Sequence, residues 1–599
     1  MEEQFQQLFK KYTADAKQAQ AKSSAIGWFR LFLFVGGLSL AVWCVQLQLF
    51  PLVAIILFLT ITVFSALVNI HNKIRRRVRL LQEKAAINEE EIARLHFEFE
   101  GLDDGSQFID SNHTYSQDLD LFGRHSLYQF IHRRGTDLGA TQLANFLLKP
   151  STVEAAQKRQ LSIKELSKDV DWRQEFQAHA RLVDHEKTAH NKLYEWMEED
   201  TPLLNKKKLS KLVIGLSVII PAVAIAGILT GWSWLYIFGL MAINGVVWRG
   251  QSDAIQKHKS TTEHHLKLLK SYAELFELME NASVDSERLI EIKSQSKGAS
   301  KQIGKLRKAF EYLDYSNNAL FGILANGFFN WDFLWTLRIE KWKSHHASET
   351  KEWFKLLGEF ETLSAAAATV YAQPNWQWPT LDENLHGVTG KGIAHPLIKE
   401  KGRISNDYDL TGKGKVHLLT GSNMSGKSTF LRTIGINIIL ARAGFPVCAQ
   451  SMTCGPIRLY TSMRTTDSIE ESTSSFYAEL KRLKRLIDLA TQQDHAVYML
   501  DEILKGTNSK DRHLGAKALV KQLSALGATG IVSTHDIELS VLEETDNYLT
   551  NYSFNSTIIG DEIIFDYTLT PGPCKSFNAS KLMEKMGFDM QPSESQLML

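Results

Sequence analysis

Two stretches of this 599-residue chain carry no charged side chain. Leu31 to Leu49 reads LFLFVGGLSLAVWCVQLQL, Leu52 to Ile70 reads LVAIILFLTITVFSALVNI, and Pro51 stands between them. A helix rises ~1.5 Å per residue, so each run is about long enough to cross ~30 Å of hydrocarbon. The pattern recurs at Leu212 to Leu229 and at Ser233 to Trp248, separated by Thr230-Gly231-Trp232. The simplest expectation is four membrane spans in two tight hairpins. Lys10, Lys11, Lys17, Lys22 and Arg30 precede the first span, and Lys73, Arg75, Arg76, Arg77 and Arg79 follow the second. Lys206, Lys207, Lys208 and Lys211 precede the third, and Arg249, Lys257 and Lys259 follow the fourth. Basic flanks stay on the cytoplasmic side, so every large segment is expected to face the cytoplasm. Trp28, Trp43, Trp232, Trp234 and Trp248 lie near span ends, where interfacial aromatics concentrate.

Two plainer readings compete. A cleaved signal peptide at the first run is disfavoured, because a second span follows at once and no small-residue cleavage site is evident. The second hairpin, with Pro221 and several glycines, also suits a buried helical pair, but its lysine-rich flank and length favour the membrane. No acid or base lies within the spans, so anchoring is a better reading than transport.

Lys and Arg number 68 against 67 Asp and Glu, so no global basic field points to nucleic acid. The four cysteines, Cys44, Cys448, Cys454 and Cys574, have no metal-site spacing and fit a reducing compartment. Segments 72–200 and 251–370 are rich in Leu, Ala, Glu, Lys and Gln and poor in Gly and Pro, a helical texture. His125, His132 and His185 read there as packing or surface residues, and Glu89 to Glu91 as a solvated face. The expected organisation is a cytoplasmic helix (1–26), a membrane hairpin (27–71), a connecting helix (72–107) and a helical region (108–204). A second hairpin (205–250), a second helical half (251–385) and an α/β domain (386–599) follow.

The α/β texture begins near Gly387. KVHLLT reads as a buried strand, GSNMSGKST follows, and FLRTIGINIILARAG reads as a helix. Strand, G-x-x-x-x-G-K-[ST] and helix in that order is the context of a phosphate-binding loop. Gly421 and Gly426 let the loop turn its amides inward, with Ser422, Asn423, Met424, Ser425 and Thr429 completing the cradle. Lys427 is expected to reach the β- and γ-phosphates of ATP, and Ser428 to ligate Mg²⁺. HAVYMLDEI is an apolar strand ending in Asp501-Glu502: Asp501 suits the Mg²⁺ shell, and Glu502 suits the base that orients and deprotonates water. TGIVSTHD places His535 at a third strand end, where a γ-phosphate sensor or an ordinary loop histidine both fit.

These motifs together resemble the MutS family of DNA mismatch-repair ATPases. The resemblance is carried by TGSNMSGKSTFLRTIG, MLDEILKGTNSKDRHLGAKAL with its Gly506-Thr507 turn, and STHDIEL. DSIEESTSSFYAEL is similar to the segment that one subunit of the family presents to its partner's nucleotide. By that resemblance Ser474 contacts ATP in trans, Phe476 and Glu479 hold matching positions, and the protein is a dimer. YTLTPGPCKSFNASKLMEKMGF resembles the segment that packs across that dimer, and LFGRHSLYQFIHRRGTDLGATQLANFLLKP and GEFETLSAAAATVYAQPNW the two ends of the family's helical lever. Arg403 falls where an adenine-stacking aromatic is common, and a guanidinium can also stack. Ser472 replaces a glycine of the signature. The first hairpin stands in place of the family's mismatch-reading module, the second falls near its DNA clamp, and the nuclease-like module of one branch is not found.

The implied fold is an ABC-type, MutS-like α/β P-loop NTPase domain with a helical lever region and four predicted transmembrane helices. The implied function is a membrane-anchored ATPase that hydrolyses ATP at a homodimer interface, drives lever movement, and has DNA, including mismatched DNA, as a family-implied partner. The alternatives are a nucleotide-gated membrane scaffold acting through an unknown protein partner without DNA, and a transporter ATPase. The last is disfavoured because no Leu-Ser-Gly-Gly-Gln-like signature occurs.

Overall fold

The structure is a computed structural model that describes residues 1–183, 189–231, 233–464, 475–559 and 562–574. The first two apolar runs are the middles of two long helices, Glu2–Gln46 (45 residues) and Phe50–Leu95 (46 residues). Pro51 sits in the first turn of the second helix, where its missing N–H removes no helical bond. Each helix is roughly 68 Å long at ~1.5 Å per residue, twice the hydrocarbon thickness. No break falls at residue 26 or 71: the helices continue through the basic flanks, whose Lys, Arg, Gln and Ala are all good helix formers. The far ends pack on the helical body. Phe5, Tyr12 and Ala16 are buried, and Tyr12 donates to Asp171 at 2.9 Å. The middles present bare apolar side chains, with Phe32 and Phe58 about 70 % exposed.

The second hairpin departs from the expectation. Lys207–Leu229, 23 residues, has the length to span, but Trp234–Arg249 has 16. Sixteen residues reach only about 24 Å. Among the described residues three helices, not four, are long and apolar enough to cross a membrane by length and composition. The short one is joined by an unforeseen apolar helix, Ala319–Phe329. Where that helix breaks, Asn330 adopts a left-handed conformation (φ 49°) and Asn244 fills the gap. The Asn244 amide donates to the Gly327 carbonyl at 2.7 Å, and its own oxygen accepts from Asn330 at 2.5 Å. Both asparagines are fully buried. The Gly327 carbonyl near the break is thereby paired among apolar helices, while Asn330 Oδ1 stays buried without a hydrogen-bond partner.

The helical body is organised by one 42-residue helix, Trp331–Ala372. It begins beside the second hairpin, where Asp332 accepts from Trp248 at 3.1 Å and pairs with Lys259 at 2.8 Å. It packs along Asp137–Leu148, Val153–Leu166 and Ala299–Tyr315. Near its far end Glu361 is buried and caps the Asp137–Leu148 helix, accepting from the Thr136 and Gly139 amides at 3.0 and 3.1 Å. Burial outweighs those bonds and raises its pKa to about 7. A carboxyl raised above its unfolded value stabilises fully below that value, and the stabilisation is lost as pH rises through 7. Between about pH 4.5 and 7 the loss should reach about 3 kcal/mol, and Glu361→Gln should flatten that part of a stability–pH curve measured by chemical denaturation.

The C-terminal α/β domain holds two sheets. Strands β1 (Thr380–Leu381), β2 (Gly387–Ile393), β3 (Asn406–Thr411) and β5 (Ser451–Cys454) form one, ordered β1-β5-β2-β3. The larger contains β4 (Val416–Gly421), β6 (Arg458–Ser462), β7 (Ala496–Asp501), β8 (Thr529–Thr534), β9 (Leu549–Ile559) and β10 (Glu562–Pro571). Its order is β10-β9-β4-β8-β7-β6, parallel except for the antiparallel edge strand β10. β4 and β8 are buried along their whole length and β7 along all but Asp501, which accounts for the near-continuous apolar sequence of β7 and the uncharged ones of β4 and β8. Because β4, β8 and β7 are adjacent, the loops at their carboxyl ends meet, the usual place for a ligand in such a sheet. The helix Lys427–Ala443 ties this domain to the helical body. At Gly435 an added Cβ would lie 2.6 Å from Leu119 Cδ2, so a larger residue there would have to displace that buried side chain.

Candidate nucleotide site

β4 delivers the chain into the loop at Gly421, and Lys427–Ala443 leaves it. Gly426, at φ 102°, caps that helix, and a Cβ there would touch the Tyr567 ring at 3.0 Å. Met424 also takes a left-handed conformation (φ 67°) and points outward, 79 % exposed. Lys427 bends back along the loop and donates to the Gly421 and Ser422 carbonyls, 2.9 Å each. Burial lowers its pKa, and the neighbouring Glu502 and Asp501 work against that shift. The hydroxyls of Ser422 and Ser425 are buried without a hydrogen-bond partner. Two orphaned donors and a desolvated ammonium around one loop are the kind of groups that suit an anion.

The metal expectation can be tested on the same geometry. The Ser428 hydroxyl donates to Asp501 Oδ2 at 2.5 Å, and Ser533 donates to the other carboxylate oxygen. An alcohol and a carboxylate thus converge from β7 and the loop, an all-oxygen donor pair of the kind Mg²⁺ takes alongside waters and phosphate. The residues fit the ion.

Glu502 follows at φ 50°, an uncommon conformation for a residue with a Cβ, fixed by its amide bonding the Ser533 carbonyl at 3.0 Å. Its carboxylate lies 2.8 Å from His535 Nε2 and 2.7 Å from Lys505 Nζ. The bond to His535, then that to Lys505, holds its pKa at about 2. Two residues on, the Leu504 amide donates to Glu479 at 2.5 Å. Glu479 belongs to the helix Ser475–Gln492, so the acidic turn is fastened to the segment that resembles the trans signature. Ser474 and Ser472 lie outside the described residues, as does the closing segment after Cys574.

A cavity of about 380 Å³ opens over the loop. Asn423 to Thr429 line one side with Glu502, and Ile393, Ile398, Ile404 and Tyr567 line the other. The structure therefore gathers the loop, Lys427, Ser428, Asp501, Glu502 and His535 around one point. Arg403 is not among the residues lining the cavity. Its guanidinium donates to the Ile398 carbonyl at 2.8 and 2.6 Å and reaches Cys448 Sγ at 3.2 Å, which fixes the turn beneath the cavity floor. The aromatic ring over the cavity is Tyr567 instead. It occupies a bulge in β10, at φ 53°, and Asn406 clamps that bulge by donating to the Tyr567 carbonyl and accepting from the Leu569 amide (3.1 and 2.8 Å). No sequence signal places it there, because the bulge arises in the pairing with β9 and is held by the Asn406 side chain of β3.

Residues 417–588 match the family described as MutS domain V. The chain is 30 % identical over 242 residues to the DNA mismatch repair protein MutS of Natronomonas pharaonis, covering 40 % of this chain and 28 % of that protein. It is 31 % identical over 213 residues to that of Lactobacillus helveticus (34 % and 24 %) and 29 % over 224 residues to that of Aquifex pyrophilus (37 % and 26 %). The aligned part thus spans about a quarter of these relatives' length. In its loop, acidic strand end and histidine at adjacent strand ends, the C-terminal α/β domain is similar to domain V of the MutS proteins.

Proposed function

We propose that this protein is a membrane-anchored ATPase of MutS type, which binds Mg²⁺–ATP in the cavity over Gly421–Thr429 and hydrolyses it at a dimer interface. The observation that carries the proposal is the meeting of Lys427, Ser428, Asp501, Glu502 and His535 at the ends of three adjacent strands. The loop amides, Ser422, Ser425 and Lys427 bind the β- and γ-phosphates; Ser428 and Asp501 hold the ion, which neutralises phosphate charge. Tyr567 and the isoleucines receive the base. Glu502 orients the attacking water. Tied to His535 and Lys505 it is a weak base, so proton uptake follows the release of those two contacts. Ser474 of a second copy completes the site. The apolar helices anchor the chain in the cytoplasmic membrane, its soluble parts facing the cytoplasm, and hydrolysis moves the helical body.

The relatives are named for DNA mismatch repair, and DNA is the first output to test. The apolar helices favour a second reading, in which the dimer gates a protein contact at the membrane and DNA plays no part. Turnover by the detergent-solubilised chain, measured with and without duplex DNA at two salt concentrations, separates them. Stimulation that fades with salt supports a DNA role, since phosphate contacts are lost as salt rises. ATP-dependent dimerisation with no DNA effect supports the second. Absence of turnover under both conditions sinks the ATPase proposal.

A further inference from the structure

The cytoplasmic end of the first hairpin carries a feature that nucleotide chemistry does not use. Asn72, Arg75, Arg76 and Arg79 follow the spacing i, i+3, i+4, i+7 and therefore lie on one face of Phe50–Leu95. Lys267, Lys270 and Ser271 follow i, i+3, i+4 on Ser252–Asn281, almost two hundred residues later. The fold turns these two faces toward each other across a cavity of about 800 Å³. Arg181 closes one side, already held by Glu90 at 2.9 and 2.6 Å. Among the described residues no carboxylate lines the cavity; the nearest acid partner, Glu274, pairs with Arg76 from outside the lining.

Folding has thus gathered cations that repel one another. The Arg76 pKa is lowered by burial and by Arg79, and that of Lys270 by burial, Arg76 and Arg307. An orientation rule for flanking charge needs basic residues near the span, in any direction around the helix. It does not require three of them to share a face, nor two lysines of a distant helix to meet that face. The height is also informative. Arg75 to Arg79 follow the apolar run ending at Ile70 by five to nine residues, a rise of roughly 7–14 Å, which puts them at the outer edge of the headgroup layer and just beyond it, within reach of a headgroup by their long side chains.

We propose that this basic cavity is a phosphate-binding site of the membrane-proximal body, filled by the headgroup of an anionic phospholipid from the cytoplasmic leaflet. Guanidinium and ammonium groups recognise phosphate oxygens by charge-assisted hydrogen bonds, and Asn72 and Ser271 add neutral donors at the rim. A free polyphosphate presents the same chemistry, and the test separates the two sources. The lipid source rests on the membrane-anchored reading above; the phosphate chemistry does not.

The full chain is reconstituted in phosphatidylcholine vesicles containing trace spin-labelled phosphatidylglycerol or spin-labelled phosphatidylcholine, and the motionally restricted lipid is measured by electron paramagnetic resonance. The expected result is preferential restriction of phosphatidylglycerol, reduced on the order of tenfold to a hundredfold in Arg75→Gln/Arg79→Gln/Lys270→Gln. Thermal unfolding in detergent with added inorganic pyrophosphate forms the second arm. Stabilisation of the parent above that of the triple variant, without lipid preference, would assign the site to a soluble phosphate. Lys206→Gln/Lys207→Gln/Lys208→Gln removes as many charges at the second hairpin and should leave both readouts unchanged. If that variant loses as much as the first, or if neither arm distinguishes the first from the parent, the site is refuted. Failure of the parent chain to float with vesicles would instead refute the anchor, while the pyrophosphate arm still decides the site.

Discussion

Glu502→Gln should reduce ATP turnover by about 10²- to 10⁴-fold, the usual contribution of a positioned general base, while ATP stays bound. The amide keeps an oxygen facing His535, which the carboxylate now meets at 2.8 Å, so the turn after β7 retains its shape. What is lost is the proton acceptor and one negative charge beside the γ-phosphate. Affinity for ATP should therefore equal or exceed that of the parent, because a carboxylate near a phosphate is repulsive. Phosphate release in single turnover and nucleotide retention in filter binding measure the two effects separately. Turnover within tenfold of the parent would remove Glu502 from the base role and turn attention to other groups around the cavity.

Lys427→Ala should act on binding instead. The ammonium holds two loop carbonyls at 2.9 Å, and burial has already stripped its water. Charge-assisted hydrogen bonds contribute about 1.5–3 kcal/mol each, so losing the contact with phosphate should weaken ATP binding about a hundredfold. The loop also loses its internal brace, and the carbonyls of Gly421 and Ser422 are left facing each other. Isothermal titration with a slowly hydrolysed ATP analogue gives the affinity, and an unchanged unfolding temperature without nucleotide shows that the fold survives. Near-parental affinity would mean that the loop binds its ligand without this lysine.

The parts of the site that could be read from sequence are those carried by one strand and the turn after it. β4 with its loop, β7 with Asp501-Glu502, and β8 with His535 each announce themselves within about ten residues, and a parallel sheet brings such ends together without further instruction. Tyr567 is illegible in the sequence because its position depends on a bulge formed against β9 and on Asn406, 161 residues earlier. Arg403 stands where the motif places a base-stacking residue, but the nearby Ile398 carbonyl accepts two bonds from its guanidinium. In the N-terminal region the apolar runs mark the exposed middles of the two long helices but not where those helices end. The helices Glu2–Gln46 and Phe50–Leu95 run on through the charged flanks because nothing in those flanks breaks a helix. The 11-residue helix Ala319–Phe329 escaped notice, since so short an apolar run is indistinguishable from a buried segment until Asn244 is seen to satisfy its broken end.

The helix Trp331–Ala372 has no proline and stays helical from Asp332, beside the short apolar helices, to Glu361, against the cap of a helix that touches Lys427–Ala443. A strut of that kind conveys displacement in both directions. If ATP shifts its upper end, then by reciprocity whatever shifts its lower end must change the affinity for ATP by the same factor. On the proposed anchoring, thickness and lateral tension of the bilayer would then be effectors of the nucleotide cycle, and the same chain would bind ATP differently in short-chain and long-chain lipid.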